Sequence, residues 1–170
     1  MTTVTPRPLA IAPDVLTELR ERDDAGAVPR PYVHDTDGAP LRCCLRRSRA
    51  GERIALVSYA PLRRWAARTG AAPGAYDEVG PVFIHAVRCA GPDPLAGYPF
   101  AETGAARVVR RYTARGSIAG GALVRLPRDP NEAQAAVATA LEEAFADPEV
   151  ALVHVRAVEF GCFHYEVRRH

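Results

Sequence analysis

From Ala106 to Val167 the chain reads strand, tight turn, strand, capped helix, strand, strand, an order that leaves few folds open. ARVVRRYT and SIAGGALVRL are joined by Ala114-Arg115-Gly116, the short connection of a β-hairpin. A helix is expected over 131–145. Asp129 supplies its cap, Pro130 its first-turn proline and Glu132 the capping-box acid. Ala133, Ala136, Val137, Ala140, Leu141, Ala144 and Phe145 make its apolar stripe. Asp147 and Pro148 end it, and ALVHVRAV and CFHYEV follow as two closing strands.

The first half is less regular. Residues 1–12 read as an extended N-terminal arm, and 13–170 as a single α+β domain. Asp14 can cap a short helix that puts Val15, Leu16 and Leu19 on one face. Residues 23–41 contain turn formers and three prolines and read as loop. RIALVSY is a buried strand, because Ile54, Leu56 and Val57 fall in a continuous apolar run. A second short helix spans 62–68 around Trp65, and another strand covers 82–89. The expected class is α+β with a mainly antiparallel twisted sheet of about five or six strands.

Composition narrows the function. The chain has 170 residues, 48% of them hydrophobic and 25% charged, which suits a globular core and argues against disorder. Its net charge is +2, too small to imply a polyanionic partner. All 22 basic residues are arginine, a bias expected of a GC-rich genome and no signal for nucleic acid. The N-terminus lacks the apolar core of a secretory signal, and no run approaches the ~20 apolar residues a membrane span needs. Two of the four cysteines are adjacent, a poor disulfide framework, so reduced cytoplasmic thiols are expected.

Titratable residues inside strands supply the site candidates. Alternation places Cys162, His164 and Glu166 on one side of the last strand, away from Phe163, Tyr165 and Val167. Before it, His154 and Arg156 oppose Val153, Val155 and Ala157; in the earlier strand, His85 and Cys89 share a face. Cys162 and His164 could ligate a metal together with His85 or Cys89, but CxxC and HExxH spacings are missing, so no metal is expected. His85 is the candidate acid or base, with Cys162 or Cys44 as nucleophile or pocket thiol. Arg156 is a candidate anion clamp that must meet a carboxylate, Glu78 or Glu159 among them. Glu78, His154 and His164 complete the substrate-binding set.

PLRCCLRRSRAGERIALVSYAP, EVGPVFIHAVRC and ALVHVRAVEFGCFHYEV together resemble the DUF1203 family, small bacterial proteins of uncharacterised function. The likeness runs from about Pro29 to Val167. Where that family often carries Pro-Cys-x-x-Cys-Leu, Leu41 stands at the first cysteine here, and Cys44 is the matching thiol. The resemblance implies fold and cellular context and brings no catalytic residues. The resulting expectation is a cytoplasmic protein with a small-molecule pocket on a sheet face. It would be a cofactor-independent enzyme using His, Cys and Arg, placed in a biosynthetic pathway. The alternative is a non-catalytic homodimeric interaction or ligand-binding module that pairs an exposed strand. Neither nucleic acid nor membrane is an expected partner.

Overall fold

The computed structural model describes residues 5–169; residues 1–4 of the expected arm, and His170, lie outside them. Helix α1 (Pro13–Glu21) is followed by strands β1 (Tyr32–Val33), β2 (Pro40–Leu41), β3 (Arg46–Arg47) and β4 (Arg53–Tyr59). Next come α2 (Pro61–Thr69), a 3-10 turn (Gly74–Tyr76) and β5 (Gly80–His85). The second half runs β6 (Ala106–Thr113), β7 (Ile118–Arg125), α3 (Pro130–Ala146), β8 (Val150–Ala157) and β9 (Phe163–Arg168). The α+β class and the mainly antiparallel pairing agree with the sequence expectation. The strands divide between two sheets, however, ordered β1-β4-β5-β2-β3 and β7-β6-β8-β9.

Local signals explain the second sheet. Gly116 takes a φ of 90° in the β6–β7 turn, a conformation that favours glycine. Asp129 caps α3 through the N–H groups of Asn131 and Glu132. The α3 stripe, with Leu141 fully buried, packs on Val109, Val153, Val155, Tyr165 and Val167. On another face, Leu62 and Trp65 of α2 meet Tyr112 and Leu152. Covered in this way, β8 buries nearly every residue.

The first sheet is built around β4 and β5, over which α1 lays Val15, Leu16 and Leu19. The expected continuous burial of β4 breaks at Leu56, which is 50% exposed because it faces outward beside its cross-strand partner Phe83. The expected 82–89 strand begins earlier and stops at His85, so Cys89 lies in the following loop. One parallel contact, Leu41 against Phe83, joins β2 to β5. The arm spans both sheets: Leu9 N–H donates to Glu166 O (2.8 Å) and Ile11 N–H to Arg42 O (3.0 Å). Among the described residues, no helix is long and apolar enough to cross a membrane.

Candidate functional site

Cys43 and Cys44 occupy the turn between β2 and β3. Leu45 N–H closes it onto Leu41 O (2.9 Å), with Leu45 itself at a φ of 55°. The parallel β2–β5 contact, reinforced by Arg42 N–H to Phe83 O (2.9 Å), sets this turn beside the end of β5. There His85 N–H donates to Cys43 Sγ (3.2 Å). Cys43 Sγ is 3.3 Å from His85 Nδ1, Cys44 Sγ is 3.8 Å from it, and the two sulfurs are 3.9 Å apart. Cys89 comes back from the loop after β5. One donor atom from each of Cys43, Cys44, His85 and Cys89 lies within 4.8 Å of all the others.

The far side of the imidazole is also ordered. His85 Nε2 lies 3.2 Å from Glu52 Oε1, and Arg46 grips both oxygens of that carboxylate. The Arg46 guanidinium holds Glu52 far below the ordinary carboxylate range, with backbone and His85 contacts adding to the effect. With the Nε2 proton directed at Glu52, Nδ1 presents a lone pair to the thiols. Cys44 is drawn down to about 6 despite burial, first by the hydrogen bond from Cys43, then by the Arg46 backbone and the neighbouring His85 and Arg46 side chains. Cys43 is pushed up because it donates that bond and is buried. Above the cluster is a cavity of about 550 Å³ between the arm, α1 and the loop from Arg88 to Pro92, with Cys43 and Cys89 in its wall.

The other sequence candidates lie elsewhere. Glu78, Arg156 and Cys162 line a separate cavity of about 270 Å³ that shares no lining residue with the first. Glu78 there bridges Arg110 (2.8 Å) and Arg156 (3.1 Å), so Arg156 meets its carboxylate inside the protein. His154 is buried between Tyr112 and Phe163, with ring centroids 4.8 and 5.0 Å away. His164 packs on Phe100 at 4.7 Å. The expected common face of Cys162, His164 and Glu166 does not form. A register shift pairs Val155 with Tyr165 but Arg156 with Phe163, which leaves His164 as the extra residue of a bulge. Of the seven candidates, only Cys44 and His85 meet at the thiol cluster. Cys43, Glu52 and Arg46 were not among the sequence candidates, and Cys89 was weighed only as a partner of Cys162 and His164. The adjacent Cys43-Cys44 and the His85-x-x-x-Cys89 spacing were the available signals.

Fold and site together define an α+β protein with a largely buried three-thiol, one-imidazole centre beside a cavity. A family model described as a protein of unknown function (DUF1203) matches residues 38–169, most of the chain, and the chain belongs to that family. The matched span includes Cys43, Cys44, His85 and Cys89 but not α1. No curated protein and no solved structure gave a match.

Proposed function

We propose that the protein binds one zinc-class dication at Cys43, Cys44, His85 and Cys89, and that this centre acts on a small molecule held in the adjacent cavity. The observation carrying this reading is the spacing of the donors. A tetrahedral ion with Zn–S of about 2.3 Å and Zn–N of about 2.0 Å needs sulfur–sulfur edges of about 3.8 Å and sulfur–nitrogen edges of about 3.5 Å. The separations of 3.9, 3.3 and 3.8 Å straddle those values. Glu52 behind His85 is the carboxylate partner that metal-bound imidazoles commonly have, and the N–H on Cys43 Sγ orients a ligand in the same manner. Three thiolates on a dication leave excess negative charge, which Arg46 is placed to answer. All four cysteines are free, which supports the reducing cytoplasmic setting.

The test is metal content of protein purified reduced and without chelators. One zinc per chain is expected, lost in both Cys44→Ser and His85→Ala. A wild-type chain that takes up none from micromolar zinc would sink the reading. Glu52→Gln should keep the stoichiometry at saturating metal yet weaken affinity by about 10–100-fold, read by competition with a chromophoric chelator. Equal affinity in Glu52→Gln would remove Glu52 from any positioning role.

One observation favours a second reading. Cys44, His85 and Glu52 form a nucleophile–base–orienter chain, and the Cys44 thiol already titrates low. Metal-free protein would then be alkylated by iodoacetamide selectively at Cys44. The non-catalytic homodimer draws support from β7, an edge strand on which Leu123 is 56% exposed. Sedimentation of the purified chain decides that alternative.

A further inference from the structure

The four donors are not equivalent. Cys43, Cys44 and His85 form a compact face with no mutual separation above 3.9 Å. Each is buried and hydrogen-bonded: Cys43 accepts from the His85 N–H, Cys44 from the Cys43 thiol, and His85 meets Glu52. Cys89 differs on every count. It is partly exposed and lies past the end of β5, on a loop whose nearest backbone anchor is Arg20 donating to the carbonyls of His85 (3.1 Å) and Val87 (3.0 Å). Among the described residues, no hydrogen bond reaches its sulfur. It lines the 550 Å³ cavity together with Cys43, whereas Cys44 and His85 do not.

We propose that Cys89 is the exchangeable ligand, and that a small thiol with an apolar body enters this cavity and takes its place on the ion. This rests on the metal reading above and adds which ligand leaves and what replaces it. An ion seated on the compact face directs its fourth position at Cys89, and so at the cavity. Leu9, Ile11 and Leu16 give the cavity apolar surface for a hydrocarbon body, beside the charged Asp14, Arg20 and Arg88, and the metal would be its soft anchor. The exchange is balanced without a redox partner. The incoming thiol gives its proton to the departing Cys89 sulfur as the metal–sulfur bond to Cys89 breaks and the new one forms. No electrons change hands.

Cobalt(II) reports each step, because its thiolate charge-transfer absorption scales with the number of sulfur ligands. The full-length chain is loaded with cobalt as wild type, Cys89→Ser, Cys89→Ala and Cys44→Ser, with folding checked by circular dichroism. Both Cys89 variants are expected to keep one cobalt and lose about one thiolate's share in three of that absorption, given a three-sulfur ligand set. Benzyl mercaptan should then restore it, in a saturable titration. Cys44→Ser should lose the ion. The proposal is overturned if the Cys89 variants lose cobalt as completely as Cys44→Ser, or if they hold it and benzyl mercaptan leaves the spectrum unchanged. Wild-type protein that binds no cobalt overturns the metal reading itself, a distinct result.

Discussion

Lowering the pH from 6.5 to 4.5 is expected to destabilise the metal-free protein, with His164 alone removing about 2 kcal/mol, a sizeable share of a typical domain's total. The cause is a pair of histidines held neutral. His154 is fully buried and its pKa lies well below 6.5, first through burial and then through Arg156, Arg110 and Arg168. His164 is pushed down to about 2, again by burial first, then by Arg42, Arg107, Arg47 and Arg156. Below pH 6.5 the unfolded chain protonates these rings more readily than the native chain does, so stability falls as pH falls. His164 contributes up to about 1.4 kcal/mol per pH unit, or about 2 kcal/mol over this interval, and His154 adds in the same direction.

Glu166 works in the opposite direction. Burial raises its carboxyl above 4.5 despite the Arg168 pair, so the native state takes up its proton first and offsets part of the loss. Urea unfolding midpoints in chelator at pH 7.5, 6.5, 5.5 and 4.5 measure the sum. His164→Phe keeps a ring against Phe100 and removes one titration, so the slope should become clearly shallower. A flat profile between pH 6.5 and 4.5 would mean that these rings gain protons in the folded state.

Those histidines also mark where sequence reading stopped. The β6–β7 hairpin and α3 were legible because their signals are local: a glycine turn, a cap and a proline, a helical stripe. β2 and β3 were not, since two-residue strands carry no periodicity and exist only through partners. The thiol centre depends on one of those partners. Cys43 and His85 are 42 positions apart, and a single parallel contact between Leu41 and Phe83 brings their neighbourhoods together. His85 and Cys44 could be singled out by chemistry, but their meeting could not. The face assigned to Cys162 and His164 failed for a related reason. Alternation assumes an unbroken ladder, and the bulge at His164 reverses the sides from that point.

Trp65→Ala is expected to destabilise the protein by about 3–5 kcal/mol, a loss of roughly 6–20 °C in Tm at this chain length, while leaving metal stoichiometry unchanged. Trp65 is 4% exposed and fills a core cluster with Leu62, Tyr112 and Leu152, none of which touches the thiol centre. Its removal leaves a large void against a strand already buried by α3, and β8 has no freedom to collapse into it. The donor geometry depends instead on the β2–β3 turn and the end of β5, in the first sheet with α1. Thermal unfolding by circular dichroism and zinc content of the same preparation test the two halves together. A small Tm change would show that α2 contributes little to holding the second sheet. Loss of zinc from a folded Trp65→Ala chain would mean that the second sheet helps to build the centre, against the division of the core drawn here.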